Sequence, residues 1–220
     1  MSSILKIRQA KIEDIPEILI VEDEAWPDGL QATEEMFLSR IETFSEGCFV
    51  AENTDRIVGL VVTEIVKYDI NAVRCPSWLD ITDCGFIRKT HNPEGDSIYG
   101  VDLSVSPLAS GGASRSLMLA VGKFAIKRNL KQIILGGRMP RYHKYADKMS
   151  PEEYLNARTP SGKYLDPEIW FYKKAGLEVI RVIPDYFDDS DSCNNGVLLV
   201  WKNPFYNRPF RKFWSWLFRI

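Results

Sequence analysis

Residues 99–116 read Tyr99-Gly-Val-Asp-Leu-Ser-Val-Ser-Pro107, then Leu108-Ala-Ser-Gly-Gly-Ala-Ser-Arg-Ser116. The first part belongs to a strand over Ser97–Val105, and Pro107 ends it, because proline brings no N–H to a ladder. The second part is a turn of small residues. Beyond it, Leu117, Met118, Val121, Phe124 and Ala125 recur at helical spacing, which predicts a helix over Ser114–Arg128 with those residues buried. A strand that turns directly into a helix N-terminus presents free backbone N–H groups and the positive end of the helix dipole. An anion such as a pyrophosphate fits there. Gly111, Gly112 and Ala113 let phosphate oxygens approach the backbone without a side chain in the way. The turn lacks the Lys-Ser/Thr pair of a Walker A loop and the GxGxxG of dinucleotide folds. A tight strand–helix turn built from small residues accounts for the same sequence equally well.

Toward the N-terminus, Leu5–Ala10 alternates as a strand, and Ile12, Ile15, Ile18 and Leu19 form a helical stripe with Pro16 in its first turns. Trp26-Pro-Asp-Gly29 breaks that helix. Thr33 caps the next one, which carries Met36, Phe37, Ile41 and Phe44 on one side. Cys48–Glu52 and Ile57–Val66 read as strands joined by a turn at Asn53-Thr-Asp-Arg56. Residues 71–96, with Pro76, Gly85, Pro93 and Gly95, read as a long irregular surface loop. Toward the C-terminus, a short strand over Gln132–Leu135 is closed by Gly136-Gly137. Residues 138–165 form a second insertion in which Ser150-Pro-Glu-Glu153 starts a short helix. Asp166-Pro167 opens a helix that ends at Ala175-Gly176, and Val179–Ile183 and Val197–Trp201 are the last strands. The order β-α-α-β-β-β-α-β-α-β-β describes a mixed α/β domain around a central sheet.

Composition narrows the function classes. The 220 residues hold 28 Lys+Arg and 30 Asp+Glu, with 45% hydrophobic and 26% charged residues, which are globular values and argue against disorder. A formal net charge of −2 argues against a nucleic-acid binder. There is no apolar run of transmembrane length and no apolar signal core in Met1-Ser-Ser-Ile-Leu-Lys, so a cytoplasmic protein is expected. Cys48, Cys75, Cys84 and Cys193 form no CxxC pair and read as reduced thiols. With His91 and His143 the only histidines, no metal centre is expected.

Phe171-Tyr-Lys-Lys-Ala-Gly-Leu177 places an aromatic pair at a helix end. With the Val-Ser-Pro107 strand end and the order of elements, residues 4–202 resemble the Gcn5-related N-acetyltransferase (GNAT) superfamily. The resemblance implies a mixed, mostly antiparallel sheet of about seven strands, with helices on both faces. A narrower likeness rests on Trp78, Ile81-Thr-Asp-Cys-Gly85, His91-Asn-Pro-Glu-Gly95, Ser97–Asp102 and Gly136–Tyr145. These are similar to the acetyltransferase domain found fused to carbon–nitrogen hydrolases; no hydrolase is expected after a chain that stops at Ile220. The domain is expected over residues 1–203.

The implied reaction moves an acetyl group from acetyl-CoA to a small-molecule or protein amine, by direct attack in a ternary complex and without a metal. The resemblance puts the pyrophosphate on Ser110, Gly111, Gly112, Ala113, Ser114, Arg115 and Ser116. It puts the pantetheine arm and a backbone donor to the carbonyl oxygen at Leu103, Ser104 and Val105. The family loop is usually Gln/Arg-x-x-Gly-x-Gly/Ala, whereas Ser110, Ala113 and Arg115 fill those slots, or Ala109, Gly112 and Ser114 one residue earlier. A second reading is therefore a non-catalytic GNAT-fold module that binds acyl-CoA or a partner. Tyr172 occupies the place of the general acid, since a phenol can protonate a departing thiolate. Base candidates are Tyr99, through an ordered water, Asp102 and Glu64, with His91 and His143 in the two insertions. The insertions are expected to wall the acceptor site, the second one carrying Arg138, Arg141, His143, Lys144 and Lys148 in a mixed surface with Asp147, Glu152 and Glu153.

Residues 201–220 hold five basic residues and no acid, which leaves a net −7 on residues 1–200. In helical register, Phe210, Phe213, Trp214 and Leu217 share one face of the tail 204–220 and Arg211, Lys212, Ser215 and Arg219 the other. The tail is expected to dock on its own domain or on a second copy in a homodimer, in preference to a membrane surface.

Overall fold

The computed structural model describes residues 5–109 and 111–219; the expected phosphate-loop residue Ser110 lies outside them. In chain order the elements are β1 (Lys6–Gln9), α1 (Ile15–Ala25), α2 (Glu34–Phe44), β2 (Cys48–Glu52), β3 (Ile57–Val66), α3 (Trp78–Ile81) and β4 (Ser97–Val105). Then follow α4 (Ala113–Arg128), β5 (Gln132–Gly137), α5 (Pro151–Asn156), α6 (Pro167–Lys174), β6 (Glu178–Ile183), β7 (Gly196–Lys202) and α7 (Arg211–Leu217). The helix starts follow their sequence signals. Thr33 accepts a hydrogen bond from the Met36 N–H at 3.3 Å, and Ser150 and Glu153 close a capping box on α5. Asp166 caps α6 by accepting from the Glu168 and Ile169 N–H groups.

The strands form one sheet in the order β1-β2-β3-β4-β5-β7-β6, antiparallel except for the β4–β5 pair. Every residue of β3 is buried, so the sheet is covered on both faces there; α1 and α4 both pack on it. The parallel β4–β5 pairing runs only from Ser97 to Gly100, while β4 stays with β3 as far as Val105. The register with β3 shifts between Gly100 and Asp102, a bulge at Val101. From that point β4 and β5 diverge, and the functional cavity opens between them.

Three local expectations change. Residues 71–96 hold the short helix α3, started by a capping box between Ser77 and Asp80. Gly136 and Gly137 do not end β5 but belong to it. Their reason is non-local: a Cβ on Gly136 would stand 1.9 Å from the Tyr186 hydroxyl oxygen, so only glycine admits that ring. In the tail, α7 packs on α4 through Ser215, which is buried, with Trp214 and Phe218 partly buried beside it. The expected face is rotated because the small Ser215 lets the helix approach closely enough for its hydroxyl to donate to the Lys123 carbonyl at 3.2 Å.

The main core lies around β2–β5. A second one, built from Met139, Tyr142, Tyr154, Leu155, Ile169 and Leu177, sits beneath the insertion 138–165. There Tyr154 donates to Asp166 at 3.0 Å, tying the insertion to the cap of α6. Among the described residues no helix is long and apolar enough to cross a membrane.

Candidate active site

The cavity where β4 and β5 diverge has a volume of about 460 Å³. Ser114, Met118, Val121 and Gly122 of α4 and Phe171, Tyr172 and Ala175 of α6 line one side. Trp26, Leu30, Met36, Arg40, Trp78 and Phe187 line the far end. Between them lie Asp102, Leu103 and Val105 on β4 and Leu135 and Gly136 on β5. Among the described residues the β4–β5 pairing ends at Gly100, which leaves Leu103–Val105 beside the cavity; the Trp78 indole N–H donates to the Val101 carbonyl at 3.0 Å.

Helix α4 starts uncapped. Gly112 is its N-cap, in a left-handed conformation with φ +110°, and as a glycine it brings no side chain to cap the first turn. No acidic residue stands in that turn, and a Cβ on Gly111 or Gly112 would meet nothing within 4 Å. Ala113 is buried, Ser114 faces the cavity and Arg115 is exposed. The Ser116 N–H closes the first turn onto the Gly112 carbonyl at 2.9 Å.

The far end carries a buried charge network. Asp102 pairs with the Arg40 guanidinium at 3.0 Å, and Arg40 also donates to the Gly85 carbonyl at 2.8 Å. The Ser104 hydroxyl accepts from the Trp26 indole at 2.6 Å and lies 2.7 Å from Glu22 and 2.9 Å from Asp102. The other Glu22 oxygen accepts from the Ala32 N–H at 2.9 Å. Burial first, and then the charge of Asp102, push the Glu22 carboxyl well above the usual range. Ser104 thus stands between the two carboxyls, of which Asp102 is the one paired with the guanidinium. Asp102, expected as a base, is therefore committed to Arg40.

Beside this network, Arg138 makes a bidentate pair with Asp189 at 2.8 and 2.9 Å, and its guanidinium carbon lies 5.2 Å from the centre of the Trp26 ring. It alone of the five cations expected at the acceptor site lines the cavity; Arg141, His143, Lys144 and Lys148 are exposed. Glu168 and Tyr172 lie one turn apart on α6, both on the cavity wall. Burial raises the Glu168 carboxyl to about 7, against the pull of Arg138. Burial, and then the Glu168 charge, hold the Tyr172 phenol above its ordinary range. Among the described residues neither side chain has a hydrogen-bond partner, so both groups remain available to a ligand.

The other sequence candidates sit elsewhere. Tyr99 is buried, stacked near Tyr68, and its hydroxyl is bonded to that of Tyr186 at 2.5 Å. Tyr186, not Tyr99, reaches the cavity. Glu64 is fully buried near Thr90, no hydrogen bond of full geometry reaches its oxygens among the described residues, and burial raises it to about 8 against the pull of the Thr90 hydroxyl. His91 stacks on Phe44 with ring centres 4.2 Å apart and accepts from the Ile65 N–H at 3.1 Å. His143 lies at the surface, 3.0 Å from the Asp191 carbonyl. Sequence reasoning missed Glu22, Arg40, Trp26, Arg138 in its paired state, Glu168 and Tyr186. A signal existed for two of them: Glu22 and Arg40 interrupt the apolar stripes of α1 and α2 at positions that should be buried.

No protein-family model matches the chain. It is 34% identical over 209 residues to the uncharacterized N-acetyltransferase YkwB of Bacillus subtilis, covering 93% of this chain and 91% of YkwB. It is 35% identical over 199 residues to a probable hydrolase of the same organism, YhcX; the match spans 90% of this chain and 38% of that protein. Among solved structures, the GphF GNAT-like decarboxylase in complex with isobutyryl-CoA superposes with a TM-score of 0.74 at 22% identity, over 90% of this chain and 99% of that one.

Proposed function

The chain belongs to the Gcn5-related N-acetyltransferase superfamily, and on that premise we propose that it moves an acetyl group from acetyl-CoA to an amine by direct attack within a ternary complex. The observation that carries this reading is the pair Glu168 and Tyr172, one turn apart on the wall of a cavity that begins at the uncapped start of α4.

The donor end fits the acetyl-CoA pyrophosphate. The N-cap of α4 is a glycine with no capping side chain, and Gly111 and Gly112 leave open space before the helix. Gly111–Ser116 would hold that group despite the departure from the usual loop, because the contacts are made by backbone. The open β4 edge over Leu103–Val105 supplies backbone partners for the pantetheine arm and a donor to the carbonyl oxygen.

In the proposed reaction the ammonium of the acceptor gives a proton to Glu168. The neutral nitrogen attacks the thioester carbon, the C–S bond breaks as Tyr172 protonates the departing sulfur, and the second proton of the attacking nitrogen goes back to the Tyr172 oxygen, leaving a neutral amide and a thiol. A carboxyl near 7 is well matched to accept a proton at neutral pH. Asp102 and Arg40 act as positioning residues for β4, and Tyr99 supports Tyr186. The GphF relative is named a decarboxylase, whose substrate must bring a carboxylate. Here Arg40 is already paired with Asp102 and Arg138 with Asp189, and Glu168 is the cavity carboxyl with no hydrogen-bond partner among the described residues, which favours an amine over a carboxylate substrate. The four cysteines are free thiols, in support of a reducing, cytoplasmic setting.

The test is calorimetric titration with acetyl-CoA and CoA, followed by a thiol-release assay over a panel of small amines and peptides. Micromolar binding with amine-dependent thiol release is the expected result. Binding without release under any amine would favour the non-catalytic acyl-CoA-binding module, and no binding would end the transferase reading and leave the partner-binding module.

A further inference from the structure

The tail helix α7 is apolar on the wrong side. Its inward contacts are Ser215 on the Lys123 carbonyl and Phe218 against Trp201, with ring centres 5.2 Å apart. Trp214 stacks on Phe205 at 5.0 Å and donates to the Pro209 carbonyl at 2.8 Å. On the opposite side Phe210, Phe213, Trp216 and Leu217 are 77%, 51%, 67% and 43% exposed. A surface helix ordinarily buries its apolar stripe and shows water its polar one. An outward stripe of this kind marks a contact surface.

The charge around the stripe points to the occupant. Arg208, Arg211, Lys212 and Arg219 are exposed around it, with Lys212 bordering the stripe, Arg211 nearer the Ser215 side and Arg219 donating to the Trp216 and Phe218 carbonyls; residues 203–220 contain no acid, while residues 1–200 carry a net −7. Arg211 shares a surface depression with Lys127, Arg128 and Tyr206, bounded also by Glu94 and Asp96. Two copies meeting through α7 about a two-fold axis would set equal basic clusters against each other. A layer of anionic headgroups over hydrocarbon complements both halves of the pattern, with aromatic rings at the interface and cations on phosphates.

We propose that the outer face of α7 binds an anionic lipid bilayer, with Phe210, Phe213, Trp216 and Leu217 at headgroup depth and Arg208, Arg211, Lys212 and Arg219 on the lipid phosphates. Because Ser215 and Phe218 fasten α7 to the domain, the bilayer holds the whole domain in one orientation. Phe218 also lines the active-site cavity, so the lipid-facing helix and the cavity wall are one element.

The experiment is sedimentation of the full chain with vesicles of phosphatidylcholine alone and of phosphatidylcholine with one quarter phosphatidylserine. The expected result is partitioning at least tenfold stronger onto the anionic vesicles, abolished at high salt. Phe213→Ser with Trp216→Ser, and separately Arg211→Glu with Lys212→Glu, should each reduce it at least tenfold. All four side chains are exposed, so both variants should melt like the parent. Equal pelleting of parent and variants, or no pelleting on anionic vesicles, overturns the proposal. So does a dimer in sedimentation velocity that the Phe213/Trp216 variant dissolves, since the face would then be a self-interface. None of these readouts depends on acetyl transfer.

Discussion

From Ser97 to Gly100, β4 is paired with strands on both edges, whereas from Val101 to Val105 β3 is its one strand partner among the described residues. In the closed half the Tyr99 hydroxyl is bonded to Tyr186, and its register partner Glu64 is sealed in near Thr90 with no hydrogen bond of full geometry to its oxygens among the described residues. Beside the open half lies the cavity, with Asp102 at its inner end and Glu168 and Tyr172 on the facing helix. Burial raises Glu64 to about 8 and Glu168 to about 7. The cause is shared; the access is not. A raised carboxyl records desolvation, and only its exposure to a ligand-sized space turns that into chemistry.

The sharpest way to break this contrast is at the open half. Tyr172→Phe should lower turnover by about 10²–10⁴-fold, the range for one general acid, while acetyl-CoA affinity stays within a factor of about two. Undiminished turnover would place the acid elsewhere. Arg40→Met comes next, because it leaves Asp102 buried beside Glu22 without a counter-charge. Urea unfolding should show a loss of about 3–5 kcal/mol, and adding Asp102→Asn should recover a large part of it. If the double variant is no more stable than Arg40→Met alone, the pair is not the source of the penalty. Glu168→Gln should cost about 10²-fold in turnover with little change in stability. As a base, Glu168 acts ionised, so kcat/KM of the parent should rise with pH through about 7. A variant that keeps this acidic limb would point to a different base.

The sequence carried the local half of this picture. Punctuation such as Thr33, Pro107, Ser150 and Asp166-Pro167 located helix and strand ends, and the apolar spacing of α4 oriented it correctly. The order of elements and the Phe171–Leu177 phrase carried the family resemblance, and it was the resemblance that implied the sheet's size and its mostly antiparallel pairing. What stayed hidden was set by contacts far apart in the chain. Gly136 looked like a strand terminator because its reason, Tyr186, comes fifty residues later. Glu168 looked like an ordinary acid in the first turn of a helix, where the dipole favours it, and only the divergence of β4 from β5 exposes it to a cavity. Tyr99 and Asp102 were in the right strand, but one is bonded to a second tyrosine and the other to an arginine from α2.

The mildest prediction tests the closed half. Glu64 is raised in the native state relative to about 4.3 in an unfolded chain. Between about pH 5 and 8 the unfolded chain loses this proton while the native protein keeps it, so stability falls as pH rises. One such group contributes at most about 1.4 kcal/mol per pH unit to that slope. Glu64→Gln keeps the shape and removes the titration. Urea unfolding at pH 5.5, 6.5 and 7.5 should therefore show a shallower decline for the variant and a relative gain that grows toward pH 7.5. Turnover should be unchanged, in contrast with Glu168→Gln. Glu22, also raised, keeps the residual slope from vanishing. Parallel declines for parent and variant would mean that Glu64 ionises in the native state, and hence that water or a cation reaches the closed half of β4 after all.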